Sequence, residues 1–277
     1  MARRRNCRMG LLATGFSALL PAIAAAAPAE DVPFVVSPDN VTVAMLTLAK
    51  VGPGDYLIDL GSGDGRIVIT AAKRFGARGM GIEIVPDLVA KSRAAAVNMG
   101  VSQRAHFREQ DLFKTDLSPA TVVTMYLLPE VNLQLRPRIL QLRPGTRIVS
   151  HDWDMAEWEP DRTLTLAVPD KPVGREKSSK VHFWVVPARV EGDWCGVAKA
   201  RGQSMRITQS FQKVRGELLD AEGIREFEGR ITGDAVRIPP SLVFTHDGTR
   251  LKATYAAGKY STLKGATFTR QRGPICK

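Results

Sequence analysis

From Asp55 onward, short apolar runs rich in β-branched residues alternate with stretches whose apolar positions recur every three or four residues. A strand covered on both faces reads as a continuous apolar run, and a helix lying across it needs only one apolar stripe, so this alternation predicts βαβ units and a parallel sheet. Strands are expected at Tyr56 to Leu60, Gly79 to Ile84, Ala105 to Glu109, Thr121 to Leu127 and Thr146 to His151. Helices fit Val41 to Ala49, Arg66 to Phe75, Pro86 to Met99 and Val131 to Leu142. Two later runs, Thr163 to Val168 and Val181 to Val186, complete seven strands as an antiparallel edge hairpin. After Pro187 the texture changes to alternating runs such as MRITQSFQKV with a glycine every ten or so residues, the pattern of a small antiparallel barrel or sandwich. The predicted fold class is therefore α/β, a mostly parallel seven-stranded sheet with flanking helices over residues 30–187, plus a small antiparallel β domain over residues 188–277.

The first 29 residues follow a different rule. Arg3, Arg4, Arg5 and Arg8 precede an apolar run from Met9 to Ile23, and small residues follow, which is the layout of an export signal or, uncleaved, an N-terminal anchor. The expected location is thus exported, periplasmic or membrane-anchored, with membrane contact only through that segment. Cysteine usage is compatible: outside the signal only Cys195 and Cys276 remain, one near each end of the β segment. If the first and last strands of a closed barrel are neighbours the two come within reach of each other; two unrelated buried thiols are the other reading.

The chain has 277 residues and a formal charge of +11. Such a charge raises the question of a nucleic-acid partner, and its distribution answers most of it. Residues 1–30 carry +3, residues 31–185 carry +1 and residues 186–277 carry +7, so the α/β region is nearly neutral. Any polyanion would meet the C-terminal segment, where solvated Lys and Arg explain the same count; nucleic acid is not the expected partner of the α/β region.

The densest chemistry lies in YLIDLGSGDGR, Tyr56 to Arg66. Asp59 lies near the end of a strand, and Gly61, Ser62, Gly63 and Gly65 turn the chain into a helix, a bend bare enough for a ligand to approach the backbone. Dinucleotide enzymes place the third glycine three residues after the second, whereas here it comes two after. An acid ahead of the turn suits a cationic amino-acid group better than a pyrophosphate. Glu83 ends the second predicted strand, where a carboxylate accepts from both hydroxyls of a ribose. Asp111 follows the third strand and is placed to accept from an adenine amino group while Leu112 packs on the ring; alone it reads equally as a helix cap. Three acids at successive strand ends point to one adenosyl ligand.

At this point the chain resembles the class I S-adenosylmethionine-dependent methyltransferases over residues 34–187. The resemblance implies a Rossmann-like fold with S-adenosylmethionine as cofactor, its methionine part along Asp59, Gly61 and Gly63, its ribose on Glu83 and its adenine near Asp111. More narrowly, PFVVSPDNVTVAMLTLA, DLGSGDGRIVITAAKRFGARGMGIEI, YLLPEVNLQLRP and LRPGTRIVSHDW look like the protein-lysine methyltransferases of mitochondrial carrier and ATP-synthase subunits and their bacterial relatives. That resemblance implies a protein substrate, a PFVVSP segment closing over the cofactor, and a YLLP wall at the methyl-transfer site.

Methyl transfer from a sulfonium needs alignment and a neutral nucleophile more than a dedicated catalyst. The apolar wall of Tyr126, Leu127, Leu128 and Pro129 suits an aliphatic lysine stem, with Tyr126 accepting from or orienting the amine. His151 or Asp152, at the end of the fifth strand, is a candidate to take the ammonium proton. No acidic or histidine spacing supports a metal. Methylation of a small molecule or RNA, or cofactor binding without turnover by a protein acting through its β domain, are the competing readings. Oligomeric state is not legible in the sequence.

Overall fold

The computed structural model describes residues 35–171, 176–271 and 276; the segment expected to be an export signal or anchor, residues 1–29, and Pro33 and Phe34 of PFVVSP lie outside them. Five strands, β1 (Tyr56–Leu60), β2 (Arg78–Glu83), β3 (Ala105–Glu109), β4 (Val122–Met125) and β5 (Arg147–His151), pair in parallel. β6 (Arg162–Ala167) and β7 (Ser178–Val185) form the antiparallel edge hairpin, giving the order β3-β2-β1-β4-β5-β7-β6. The strand order reverses between β1 and β4, and ligands of doubly wound sheets bind in the crevice at the carboxyl ends of the two strands flanking such a switch.

Strand alternation distributes the core. Leu57 of β1 and Val122 of β4 face α1 (Asp39–Leu48), α2 (Arg66–Phe75) and α3 (Pro86–Asn98), where Val41, Met45, Val68, Ala72 and Val89 are buried. Ile58, Leu60, Val123 and Met125 face the opposite side, against Leu135 and Ile139 of α4 (Pro129–Ile139). Asp59 and Thr124 therefore share the face of Leu57 and Val122, and the β1–β4 register sets them side by side.

Two boundaries differ from expectation for local reasons. β4 ends at Met125, so Tyr126 and Leu127 leave the sheet although their apolar character reads as strand. Helix α4 begins at Pro129, two residues early, because proline is well suited to the first helical position, where its missing N–H would have no partner.

The remaining strands, β8 (Gly192–Val197), β9 (Ser204–Ser210), β10 (Lys213–Asp220), β11 (Gly223–Thr232), β12 (Ala235–Ile238), β13 (Leu242–His246), β14 (Arg250–Ala256) and β15 (Thr267–Arg270), close into an antiparallel barrel through the β15–β8 pairing. Trp194, Phe244, Phe268, Tyr260 and Leu263 fill its interior and are fully buried. Closure brings the cysteines together: Cys195 and Cys276 form a disulfide with their Cα atoms 5.4 Å apart, across a sequence separation of 81. One end of the barrel is packed on the sheet. Phe211, in the β9–β10 turn, stacks on Trp158 with ring centroids 6.2 Å apart, and the Arg136 guanidinium of α4 lies 5.6 Å from the Phe211 centroid. Gln212 donates to the Glu159 carbonyl at 2.7 Å, and Arg230 pairs with Asp161 at 2.6 Å.

Candidate active site

At the switch point a cleft is lined by Asp59, Gly61, Ser62, Gly63, Asp64, Arg66 and Tyr126, together with Val35, Val36 and Ser37 of the segment preceding α1. The two loops that frame it are the glycine bend after β1 and the Tyr126–Leu128 turn after β4, which is why chemistry from distant parts of the chain meets here.

Asp59 is 2% exposed. Its Oδ1 accepts from the Thr124 hydroxyl at 2.7 Å, and its other oxygen has no hydrogen-bond partner among the described residues. Burial pushes its carboxyl up to about 7, with the charges of Glu83 and Asp64 acting in the same direction. A buried acid held next to two others is a site for a cation. Glu83, buried beside it, accepts from the Gly63 amide at 2.9 Å through Oε2 and from the Ile84 and Val85 amides at 2.8 and 3.0 Å through Oε1. One carboxylate thus fixes both the glycine bend and the turn after β2. Gly61 and Gly63 have φ of +70° and +52°, and a Cβ on Gly61 would sit 2.8 Å from Leu127. The Ser62 hydroxyl is buried beside Gly81 of β2, with no hydrogen-bond partner among the described residues, and Ser62 lines the cleft.

These features fit S-adenosylmethionine. The bare bend leaves the backbone open to a ligand, Asp59 would meet its cationic methionine end, and Glu83 would be the acceptor for a ribose hydroxyl.

Other expected site residues are placed differently. Gly65, also at positive φ, faces the core: a Cβ there would lie 2.6 Å from the Phe107 ring, so this glycine serves packing and not ligand approach. Asp111 caps a helical turn at 112–114, accepting from the Phe113 amide at 2.8 Å, and its second oxygen lies 3.6 Å from Lys114. Like Glu83, it and Leu112, which is packed half-buried on the α4 side of the sheet, stand outside the lining of the cleft. Pro129 is half-buried at the start of α4 and is likewise outside it.

The expectation that His151 or Asp152 faces the rim as a proton acceptor is corrected. His151 is 1% exposed, its Nδ1 bonded to Ser37 Oγ and its Nε2 to Ser179 Oγ, each at 2.9 Å. Burial, helped by the charge of Lys171, lowers its pKa to about 4, so it is a neutral, fully engaged scaffold residue. Tyr126 stacks on it at 3.9 Å. Burial would raise the Asp152 carboxyl, but hydrogen bonds from Lys171, at 2.8 Å, and from the Lys180 amide, at 2.9 Å, outweigh it and hold the group below its ordinary range. Asp152 reaches the cleft only through the Tyr126 hydroxyl, which donates to Oδ2 at 3.4 Å. Burial first, and then the nearby Asp152 charge, push the Tyr126 phenol up to about 12, so it stays protonated.

Three participants were not anticipated. Thr124 is legible in retrospect as the one hydroxyl in an apolar strand. Arg66 donates to the Ser37 carbonyl at 3.0 Å while paired with Asp64 at 2.7 Å, tying the segment before α1 to the glycine bend; Ser37 in turn reaches His151. Only the fold reveals these contacts.

Fold and cleft together define a class I S-adenosylmethionine-dependent methyltransferase. A family model for the ANTKMT methyltransferase domain matches residues 59–162. A protein-lysine N-methyltransferase of Saccharolobus islandicus (strain REY15A) is 43% identical over 137 residues, 49% of this chain and 85% of the relative. A lysine N-methyltransferase of Mus musculus named for an ATP synthase subunit is 31% identical over 221 residues, 77% of this chain and 84% of the relative. The crystal structure of an RNA methyltransferase from Salinibacter ruber, in complex with S-adenosyl-L-homocysteine, shares 52% identity at a TM-score of 0.51, covering 56% of this chain and 96% of that one. The chain belongs to the protein-lysine N-methyltransferase family that contains these lysine-modifying relatives, and it is an S-adenosylmethionine-dependent enzyme.

Proposed function

We propose that the enzyme N-methylates a lysine side chain of a protein substrate. The observation that carries the reading is the acceptor end of the cleft: a protonated tyrosine, Tyr126, shares the cleft with Asp59 and the glycine bend. S-adenosylmethionine, when bound, supplies a methyl group on a positively charged sulfur that a neutral amine displaces. The residues of the chain align that amine and do not deprotonate it. Tyr126 donates to Asp152, which leaves its oxygen lone pairs to accept an N–H from the incoming amine. His151 fixes the ring by stacking, and the Lys171–Asp152 pair fixes the hydroxyl. The ammonium proton is released to solvent before transfer, so turnover should rise with pH as the free amine becomes populated. In this reading Asp59, Gly61, Ser62, Gly63 and Glu83 hold the cofactor and Tyr126 orients the acceptor.

The lysine-specific names of the relatives support a protein acceptor. Incubation with methyl-labelled S-adenosylmethionine, a protein extract and RNA tests it: N-methyl-lysine in protein hydrolysates is the expected product, and label recovered only in RNA or in small molecules would overturn the proposal. The working compartment proposed is outside the reducing cytoplasm or at its membrane, supported by the signal-like N-terminus and by the Cys195–Cys276 bond. Fractionation with N-terminal sequencing of the mature chain checks this; a purely cytoplasmic, unprocessed protein would contradict it.

A further inference from the structure

The barrel is closed and its interior is filled by Trp194, Phe244, Phe268, Tyr260 and Leu263, so its working surface is outside. Its two ends are unlike. The strand registers place the β9–β10 turn with Phe211 and Gln212 at the end packed on the sheet. The same registers gather at the opposite end the β10–β11 hairpin tip, the 198–203 connection after β8, the carboxyl end of β14 and the helical turn at 258–263.

That free end is apolar and cationic at once. Leu219 and Ile224 face each other across the hairpin, 46% and 67% exposed, and Tyr255 is 55% exposed. These are the large apolar side chains that the described part of the barrel leaves in solvent. Around them stand Lys199, Arg201, Lys259 and Lys264, all exposed, and none of the four is paired with a carboxylate among the described residues. The two acids at this end, Asp220 and Glu222, are both held by Arg225, which also donates to the Lys259 carbonyl and so ties the hairpin to the helical turn. The barrel wall is different. On its outward positions Arg215 pairs with Glu228 at 2.9 Å and Arg206 with Asp193 at 2.8 Å, and Glu217 and Glu226 stand opposite each other on β10 and β11. At the free end, four exposed cations without a carboxylate partner among the described residues accompany the protruding aliphatic pair.

We propose that the free end of the barrel docks on an anionic phospholipid bilayer, with Leu219 and Ile224 entering the headgroup region and the four cations meeting lipid phosphates. Charge complementarity selects an anionic surface, because nearby cations each add to the attraction of such a leaflet. The aliphatic pair selects a bilayer over nucleic acid: branched aliphatic side chains gain from entering a lipid interface, whereas unpaired bases need aromatic platforms, of which this end, among the described residues, exposes only Tyr255. Docking here leaves the opposite end, with the methyltransferase sheet, away from the membrane. The inference does not depend on which acceptor the enzyme methylates.

The test is sedimentation of the full chain with phosphatidylcholine vesicles, with and without phosphatidylglycerol. Binding is expected only with the anionic lipid, and Lys199→Glu with Lys264→Glu should lower the partition coefficient about tenfold or more. Ile224→Asp should lower it to a similar degree, with thermal unfolding and cofactor affinity unchanged, whereas Arg237→Glu on the wall should have little effect. Binding that survives all the end substitutions, as it would if the N-terminal apolar run alone carried it, would overturn the proposal. So would an equal loss in Arg237→Glu, equal binding to neutral vesicles, or capture of single-stranded RNA in place of vesicles.

Discussion

Replacing Asp59 by asparagine should make the ligand-free protein more stable while abolishing its use of cofactor. Asp59 is 2% exposed, and burial raises its carboxyl from 3.8 to about 7. In the unfolded chain the group ionises near its ordinary value. Between about pH 4 and pH 7 the folded protein therefore keeps a proton that the unfolded chain has released, and stability falls as pH rises through that window. A displacement of about three pH units at 1.36 kcal/mol per unit sets the cost above pH 7 at up to about 4 kcal/mol. Asparagine preserves the acceptor for Thr124 without the charge, so the cost disappears. For a chain of this size the gain is a Tm roughly 5–15 °C higher at alkaline pH, shrinking to nothing near pH 4 where both side chains are neutral. Differential scanning calorimetry of both proteins across that range measures it, and titration with S-adenosylmethionine measures the accompanying loss of binding. Equal melting temperatures at alkaline pH, or the same difference at both extremes, would refute the reasoning.

Three further outcomes follow from particular contacts. Gly65→Ala should destabilise the protein by about 1–3 kcal/mol in thermal unfolding, since φ is +80° and the added carbon meets the Phe107 ring at 2.6 Å; an unchanged Tm would show that the bend adjusts freely. Cys195→Ser, or reduction, should lower barrel stability by up to about 4 kcal/mol, the constraint on a loop of this length, and leave cofactor affinity intact; calorimetry with and without reductant reads both. Tyr126→Phe should reduce kcat while cofactor affinity stays within about twofold, because the phenyl ring keeps the stack on His151 and loses only the oriented hydroxyl, a single hydrogen bond; parallel loss of both would indicate damage to the cleft.

The sheet was legible because buried parallel strands leave uninterrupted apolar runs, and the same runs end in Asp59 and Glu83, whose polarity stands out at a strand tip. Asp111 stood out for the same reason and caps the turn at 112–114; an acid after a strand serves equally well as a cap, and no local pattern separates the two uses. His151 was misread because its burial depends on Ser37 and Ser179, 114 residues upstream and 28 downstream, which only the folded topology brings to it. Gly65 resembled its cleft-lining neighbours since sequence does not record what lies beneath a turn, here Phe107 from β3. In the barrel, alternation was readable, and the disulfide followed from closure, which alternation permits but does not require.

The central claim is that the acids at the tips of β1 and β2 and the glycine bend between them hold S-adenosylmethionine. Isothermal titration of the cofactor into the wild-type protein and into Glu83→Ala tests it most directly. Glu83 accepts from three backbone amides and in this account would also accept from the ribose, so the account predicts measurable binding by the wild type and a loss of about 1–3 kcal/mol in the variant. No binding by the folded wild type, or identical affinities for the two proteins, would contradict it.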